Sequence, residues 1–405
     1  MSIGNITIKN IKSKPLYSIL SIITLSLSII LLLGIKQIEN SFKNQIENNV
    51  GNIDLIIGAK GSPLQLVLAS VLHLDNPTGN ISFKEAQKIG AHPMVKSTIP
   101  ISYGDNYKGF RIVGTIKDYI SLYEASIDKG KFVAHSMEVV LGFSVAHQLN
   151  LKIGDTFLSS HGLVENEIDV HSDKFTVVGI LKPTKKVIDR LIITNLESIW
   201  DVHHHEEEEK ENHTNHHHEE EEDQKEITSL LLSFKSPRAL LNFPKRVNEN
   251  TNLQAVLPKY ELHKLDEYTS IGFTTISLIA YLILLISSLT IFISLYKMVK
   301  ERAFDLAILR TYGANNLQLI KMLLYEGLLI ALASFLVGFM LLKIGLTVLL
   351  NSKPANIKLN MLQDLPFIDI FQLALLIILM VITAVSIAII PIIKMNISTI
   401  LSNEK

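Results

Sequence analysis

The sequence predicts an α-helical membrane protein with four transmembrane helices in a one-plus-three arrangement and a large α+β domain outside the cytoplasm. Hydrophobic residues make up 48% of the 405 residues and charged residues only 19%, so part of the chain is predicted to lie in lipid. Four apolar runs are each long enough to cross a hydrocarbon core about 30 Å thick. Lysines and arginines cluster beside these runs, and that bias gives the orientation.

The first predicted transmembrane helix covers residues 15–35, which contain no charged residue. It follows an N-terminal segment, residues 1–14, in which apolar residues alternate with Lys9, Lys12 and Lys14. The lysines place this segment in the cytoplasm, where its pattern fits an amphipathic helix on the membrane surface. The alternative is a cleaved signal peptide, but its apolar core usually spans only about 7–15 residues.

The other predicted transmembrane helices are residues 268–295, 322–342 and 370–393. Basic residues crowd the connection at 296–321, and a lysine opens the C-terminal tail at 394–405. Both segments, and therefore both termini, are predicted to be cytoplasmic. Residues 343–369 then form an extracytoplasmic loop, and residues 36–267 form the large extracytoplasmic domain.

Helix and strand patterns mix within the extracytoplasmic domain. Residues 37–48 are expected to continue the first helix, residues 63–73 to form an apolar helix, and residues 144–150 a short helix that opens at Ser144, followed by a tight turn. Segments rich in β-branched residues predict strands at 110–116, 137–143, 174–183, 190–195 and 228–234. The alternation predicts an α+β module with a small barrel-like or sandwich part.

A run of histidines and glutamates interrupts this domain at residues 201–226 and is predicted to be a disordered insertion. Its histidines are His203, His204, His205, His213, His216, His217 and His218. Imidazole and carboxylate groups bind zinc and other divalent metals, and the chain has no cysteine to compete. Adjacent glutamates repel one another, so a flexible, low-specificity chelating loop is expected. The alternative is a solvated loop with no physiological ligand.

The remaining histidines carry no ligand motif, which argues against a metallohydrolase domain. They are His73, His92, His135, His147, His161, His171 and His263. No catalytic residue is therefore predicted. The formal net charge of -1 and the lack of a large basic field also exclude nucleic acid as an expected partner.

The segment KMVKERAFDLAILRTYGANNLQ, which begins at Lys297, resembles a cytoplasmic turn of the ABC-transporter permeases of the MacB, FtsX and LolC/LolE type, the FtsX-like permease family. The matching residues are Arg302, Leu306, Ala307, Ile308, Leu309, Arg310, Thr311, Gly313 and Ala314. The chain departs from the motif at Asp305, where the family often has glutamate. The one-plus-three layout and stretches near residues 53–81, 110–119, 138–157 and 175–184 are also similar, which implies a periplasmic core domain of the MacB type.

This resemblance implies a non-catalytic permease subunit in a bacterial cytoplasmic (inner) membrane, dimeric with a second copy or a homologue. A separate ATPase subunit would bind ATP, since the chain has no G-x-x-x-x-G-K-[ST] loop. That subunit would contact a short helix around residues 312–320, with Gly313 supplying the break. The predicted coupling residues are Arg302, Asp305, Arg310, Gly313, Ala314, Asn315 and Asn316. For the arginines, the alternative is simply the positive-inside bias.

In this family, ATP-driven motion of the extracytoplasmic domain serves export or lipoprotein release through partner lipoproteins, carriers or fusion proteins. The His/Glu run favours divalent-metal-linked transport for this chain, with zinc or a similar metal at the loop. The alternative function is that of FtsX, a regulator that controls a cell-wall hydrolase and transports nothing.

Glu326 is the one acidic residue within the third apolar run. Ionisable groups at membrane depth usually have a function. Because Glu326 lies only one to two turns from the cytoplasmic end, it is expected to snorkel or to pair with Lys321 or a neighbouring subunit. A structural or coupling role is predicted, with little part in proton or ion transfer.

Overall fold

A computed structural model of the chain describes residues 15–160, 170–202, 225–301, 315–351 and 365–390, together with 304, 308 and 311–313. The chain divides into two compact units. The helical unit comprises Met1–Ser41, Thr269–Ser352 and Met361–Lys405, and the mixed unit comprises Phe42–Tyr268 and Lys353–Asn360.

The helices and strands are numbered here along the chain. The α-helices are α1 (Pro15–Val50), α2 (Pro63–Val67), α3 (Phe83–Gly90), α4 (Asp118–Leu122), α5 (Phe143–Leu149), α6 (Ala239–Asn250), α7 (Pro258–Glu301), α8 (Asn316–Asn351) and α9 (Phe367–Ala388). The strands are β1 (Leu55–Ala59), β2 (Ile81–Ser82), β3 (Val95–Tyr107), β4 (Phe110–Gly114), β5 (Ile127–Gly130), β6 (Glu138–Leu141), β7 (Thr156–Ser160), β8 (Val170–Leu181), β9 (Ile192–Thr194), β10 (Glu226–Ile227), β11 (Ser229–Phe234) and β12 (Leu253–Val256). A π-helical turn at Leu68–Leu72 extends α2, and a 3-10 turn covers Val187–Arg190.

The helical unit is built on long apolar helices. Among the described residues, four helices are long and apolar enough to cross a membrane: Ser18–Val50, Pro258–Glu301, Leu317–Val348 and Phe367–Ala388. Residues such as Leu25, Ile29 and Leu33 face the core of this unit, whereas many other leucines and isoleucines are exposed on its outside. Apolar surfaces of this extent are stable in lipid and not in water.

The mixed unit contains a ten-stranded sheet, and six of its strands pair in a closed ring. The long strand β3 pairs with β11 through residues 95–101 and with β4 through residues 102–107. From β4 the pairing continues through β9, β6, β8 and β7, and β7 returns to β3 at Asn106 and Ser160. These pairings form a small barrel, which is one of the two forms that the sequence predicted. On the other side of β3, strands β11, β1 and β12 extend the sheet.

Each part of the sheet has its own apolar core. Inside the ring, alternate residues of neighbouring strands point inward, including Val139 and Leu141 of β6 and Phe175 and Val177 of β8. Successive side chains of a strand point to opposite faces, so Val140, between Val139 and Leu141, is buried on the other face of β6. A second cluster packs the π-helical turn and α4 against the sheet. A third cluster packs α6 against β11 and β12.

Most local predictions for the mixed unit are confirmed. The helical continuation at 37–48 is part of α1. Four of the predicted strands contain β4, β6, β9 and β11, and the fifth, at 174–183, overlaps β8, which begins earlier. The expected helix start at Ser144 is wrong, because α5 begins at Phe143 with Gly142 as its N-cap. Gly142 is needed there, since a Cβ at this position would lie 2.4 Å from the carbonyl oxygen of Ile188.

The fold class is the predicted one, with four long apolar helices and a mixed α/β domain. The predicted domain boundaries stay predictions, because α1 and α7 run without interruption through the borders that were placed at residues 35/36 and 267/268.

Candidate functional site

The cytoplasmic turn predicted to bind the ATPase is described in part. Arg302, Asp305, Arg310 and Ala314 lie outside the described residues. The amide of Tyr312 donates to the carbonyl oxygen of Ile308 at 3.1 Å, which is a helical bond. Gly313 then adopts a φ of +93°, a left-handed conformation that glycine adopts at little cost and that a β-branched residue avoids. The backbone therefore turns at the position where the break was predicted.

A new helix starts directly after this turn. Asn315 precedes α8, and its backbone N–H donates to Oε1 of Gln318 at 3.0 Å, while the Gln318 N–H donates to the Asn315 carbonyl at 2.9 Å. A glutamine that reaches back from the third helical position is half of a capping box and stabilises the helix start. The side chain of Tyr312 is 86% exposed beside it. The turn thus presents an accessible surface next to a firmly capped helix.

The helix α8 is continuous from Asn316 to Asn351. The short helix predicted around residues 312–320 and the transmembrane helix predicted at 322–342 are therefore not separate elements, and that part of the prediction is wrong. Propagating a helix adds one hydrogen bond for each residue fixed, so an apolar sequence without proline or a breaking glycine continues the helix. A displacement at residues 316–320 must move the apolar part of α8 as well.

Glu326 lies about 15 Å along α8 from its first residue, at about 1.5 Å per residue. Its side chain has no exposed surface, so the carboxyl group does not reach the surface as snorkelling requires. The other expectation, a pairing with Lys321 or a neighbouring subunit, stays a prediction. The next residue, Gly327, allows close packing, because a Cβ there would lie 2.8 Å from Cγ1 of Val381 in α9. The predicted structural or coupling role of Glu326 stays a prediction.

Small residues also bring α8 and α7 close to α1. A Cβ on Gly338 of α8 would lie only 3.0 Å from the carbonyl oxygen of Ser26 in α1. The hydroxyls of Ser28 in α1 and Ser287 in α7 share a buried hydrogen bond of 3.0 Å. Small side chains and interhelical hydrogen bonds of this kind hold membrane helices together, where no hydrophobic driving force acts between them. Motion of α8 is therefore resisted by backbone contact with α1.

The last turn of α1 belongs to the mixed unit and is anchored there by Asn49. The Asn49 side chain is buried, and its Oδ1 accepts a hydrogen bond of 2.7 Å from the backbone N–H of Val187. The 3-10 turn that begins at Val187 is itself held by Asp189, whose carboxylate accepts from the backbone N–H groups of Thr184 and Lys185. Burial raises the pKa of the Asp189 carboxyl group, against the effect of these hydrogen bonds. The stalk helix thus ends on a structured turn of the domain.

A buried polar cluster, which the sequence did not predict, lies behind the π-helical turn. His73 ends that turn with a φ of 52°. Its Nδ1 lies 2.8 Å from the hydroxyl of Tyr103, and its Nε2 lies 2.7 Å from the hydroxyl of Tyr119. Tyr123 packs edge-on against Tyr119 at 5.1 Å, and the Arg111 guanidinium lies 4.8 Å above the Tyr103 ring.

The hydrogen bonds of this cluster define the proton positions. The hydroxyl of Tyr103 donates to the carbonyl oxygen of Ala69, so its contact with His73 must be donated by Nδ1–H, and Nε2 then accepts from Tyr119. Burial lowers the pKa of His73 well below its usual value, and the positive charges of Arg111 and Arg190 lower it further.

Burial also raises the tyrosine pKa values. The pKa of Tyr103 is raised despite the opposing charge of Arg111. The pKa of Tyr119 is raised by burial and by its interactions with Tyr123, and burial raises the pKa of Tyr123 to about 12. The imidazole of His73 and these three tyrosine hydroxyls are therefore uncharged at neutral pH.

The predicted metal ligands, His203 to His218, lie outside the described residues. Within the part of the chain that the structure describes, no group of three or more His, Cys, Asp or Glu side chains is placed to hold a metal ion. The metal prediction for the His/Glu run thus stays a prediction.

Four apolar membrane helices, an α+β domain between the first and the second, and a capped turn between the second and the third define a membrane protein with a permease layout. The family model of the MacB-like periplasmic core domain matches residues 18–237, which are 220 of the 405 residues, and that of the FtsX-like permease C-terminal matches residues 277–397. The chain belongs to the FtsX/MacB family of ABC-transporter permeases. A search of curated proteins finds no match.

Solved structures similar to the chain include extracytoplasmic domains of such transporters. The periplasmic region of MacB from Actinobacillus actinomycetemcomitans is 10% identical, with coverage of 56% of this chain and 97% of that chain and a TM-score of 0.36. The extracellular domain of the noncanonic ABC-type transporter YknZ from Gram-positive bacteria is 10% identical, with coverage of 50% and 98% and a TM-score of 0.30.

Proposed function

We propose that this chain transmits the energy of ATP hydrolysis, carried out by a separate ATPase subunit, to movements of its extracytoplasmic domain. The proposal rests on the continuity of α8. This helix runs without a break from the capped turn at Asn315 through the apolar core of the helical unit. A rigid helix that begins at the docking surface needs no hinge between the ATPase and the membrane. Family membership supports it, because permeases of this family work with an ABC ATPase.

The contacts described above supply a route for this movement. The ATPase subunit contacts the turn at Gly313 and displaces the start of α8. The backbone contact at Gly338 passes the displacement to α1, and α1 is a single helix that continues to Val50 in the mixed unit. Asn49 joins the end of this helix to the domain. Each of these steps uses a packed contact, a hydrogen bond or a continuous helix, which are the elements that carry coupling over a long distance.

The assembly in this proposal is a dimer with a second copy or a homologue, in a bacterial inner membrane with both termini in the cytoplasm. The movements serve export or lipoprotein release. The location of the basic residues between α7 and α8 supports this orientation.

Cysteine labelling tests the orientation directly, because the natural chain has no cysteine. Leu241 in the mixed unit and Tyr312 in the turn are 78% and 86% exposed, so Leu241→Cys and Tyr312→Cys should both accept a maleimide. A membrane-impermeant maleimide should label only Leu241→Cys in spheroplasts and only Tyr312→Cys in inverted vesicles. Labelling of both variants from the same side would refute the proposal.

A glycine substitution tests the coupling role of the turn. Gly313→Val forces a β-branched residue into a left-handed conformation, which costs about 1–2 kcal/mol and should weaken co-purification of the ATPase about tenfold. Gly313→Asn is the matched variant, because asparagine tolerates this conformation. ATPase co-purified with the tagged full chain, and its ATP hydrolysis, are measured for both. Equal losses for the two variants, or none for Gly313→Val, would contradict the proposed docking site.

We also propose that the His/Glu run at residues 201–226 binds zinc or a similar divalent metal and links the transporter to metal handling. The density of imidazole and carboxylate groups supports this proposal. Zinc titration by calorimetry of the full chain, with and without residues 203–223, should show heat that disappears on deletion. Equal heats would show that the ligands lie elsewhere.

A further inference from the structure

A cavity of about 340 Å³ lies in the helical unit and is lined by residues of α1, α7 and α9. On α1 its lining extends from Leu32 to Glu39 and includes Lys36, directly after the uncharged run, and on α9 it includes Asp369, directly before the apolar run. On α7 it includes Ser277, which is 20 residues before Lys297, and about 20 residues of helix cross the hydrocarbon core. Lys36 and Asp369 therefore place the polar end of the cavity at the level of the lipid headgroups, on the extracytoplasmic side, whereas Ser277 lies within the apolar run of α7.

The polar part of the cavity carries a net negative charge. Lys36 Nζ lies 3.4 Å from Oε2 of Glu39, so these two charges offset each other. Asp369 adds a second carboxylate, and its Oδ2 accepts from the neutral side-chain amide of Asn40 at 3.1 Å. A carboxylate can accept about four hydrogen bonds. The site thus combines one ammonium group with two carboxylates and favours a ligand with a cationic hydrogen-bond donor.

The rest of the wall is apolar and lies deeper in the membrane. Leu32 and Leu33 precede Lys36 by one helical turn, and Leu373 and Leu376 follow Asp369 by one and two turns. Leu376 is 41% exposed, so the cavity is accessible from the side of the helices. A polar rim above an apolar floor fits an amphiphile, and its volume falls in the range of small-molecule sites, about 300–1,000 Å³.

We propose that this cavity binds the headgroup of a phospholipid with a primary amine, of the phosphatidylethanolamine type, from the outer leaflet. The ammonium group of the lipid donates to Asp369 and Glu39, its phosphate lies near Lys36, and its first methylene groups pack on the leucines. Among the described residues, no group of three or more His, Cys, Asp or Glu side chains is placed to hold a metal ion, and the apolar wall suits an amphiphile better than a cation. The choice of the outer leaflet rests on the orientation given under the proposed function, whereas the binding of a lipid is independent of the ATPase and the cargo.

Native mass spectrometry of the full chain tests this proposal. The purified protein is equilibrated with a detergent solution that contains equal amounts of phosphatidylethanolamine and phosphatidylglycerol, and the retained lipids are counted. The wild-type chain should retain more phosphatidylethanolamine than phosphatidylglycerol. Asp369→Asn keeps the acceptor for Asn40 but removes the charge, so it should lower this preference about fivefold. Size-exclusion profiles establish that the variant is folded.

A second pair of variants tests the cavity itself. Ser277→Trp fills it and should abolish selective retention, whereas Thr275→Trp, on the same helix but outside the lining, should leave retention unchanged. Equal retention of both lipids by the wild-type chain, or an unchanged preference in both Asp369→Asn and Ser277→Trp, would overturn the proposal. Competition by water-soluble glycerophosphoethanolamine at the same concentration as the lipid would show that the apolar wall has no role, and would also reject a lipid site.

Discussion

Acidification should loosen the extracytoplasmic domain around His73. The imidazole is buried and uncharged, and its pKa lies well below the ordinary value of 6.5 because of burial and the charges of Arg111 and Arg190. Its hydrogen bonds to Tyr103 and Tyr119 hold the neutral form in place. When the domain opens locally, His73 becomes exposed and binds a proton below about pH 6.5, which it does not bind in the folded domain. The free energy of opening therefore falls as the pH falls.

The size of this effect follows from proton linkage. At about pH 7.5 an exposed imidazole is about one-tenth protonated, and its protonation contributes less than about 0.1 kcal/mol to opening. At about pH 5.5 it is about nine-tenths protonated, and the contribution rises to about 1.4 kcal/mol. A loss of about 1.4 kcal/mol is thus expected between these pH values while His73 stays neutral in the fold.

Hydrogen exchange of the full chain in nanodiscs measures this loss. The protection of the amides at residues 68–74, corrected for the pH dependence of intrinsic exchange, gives the free energy of opening at each pH. His73→Asn suits the backbone, because asparagine tolerates a positive φ, and it should remove the pH dependence even though it lowers protection overall. His147→Asn, at an exposed site, should keep the wild-type slope. A slope that survives in His73→Asn would refute the reasoning.

Three further experiments test the packed contacts. Gly338→Leu should destabilise the full chain in detergent by about 1–3 kcal/mol because of the clash with the α1 backbone, whereas Gly345→Leu, which meets open space on the same helix, should leave the melting temperature nearly unchanged. A double-mutant cycle of Ser28→Ala and Ser287→Ala should give a coupling energy of about 0.6 kcal/mol, and zero coupling would show that the hydrogen bond is not formed in the membrane. Asn49→Ala should destabilise the domain by about 1–3 kcal/mol, because it leaves the buried backbone N–H of Val187 without an acceptor. Hydrogen exchange of the Val187 amide should become faster, and an unchanged rate would contradict the anchoring role of Asn49.

Local patterns were sufficient for much of this fold. The four apolar runs predicted the membrane helices, because length and the absence of charge are properties of a single segment. The strands at β4, β6 and β8 were predictable for the same reason, since their content of β-branched residues is visible within a few residues. The turn at Gly313 was also predicted, because the break depends on one residue type and its neighbours.

The predictions that failed depend on contacts between distant residues. Nothing near Glu326 in the sequence shows that neighbouring helices bury it, so snorkelling was one of the two outcomes expected there, beside a pairing that stays a prediction. The start of α5 was misplaced because Gly142 is required by the carbonyl oxygen of Ile188, which lies 46 residues further along the chain. The long strand β3 was not predicted, since residues 95–107 show no continuous alternation of apolar and polar residues. Its first half pairs with the distant strand β11 and its second half with β4.

The sequence by itself determined the class of protein: the apolar runs, the basic connection and the motif at residues 302–314 are sufficient for a permease with one large extracytoplasmic domain. Only the tertiary structure decided where the polar groups of this protein come into contact. His73, Tyr103 and Tyr119 come together across 46 residues, and Lys36, Ser277 and Asp369 across 333. The physical reason is that hydropathy and propensity act within a segment, whereas a cavity or a buried cluster exists only once helices and strands have packed.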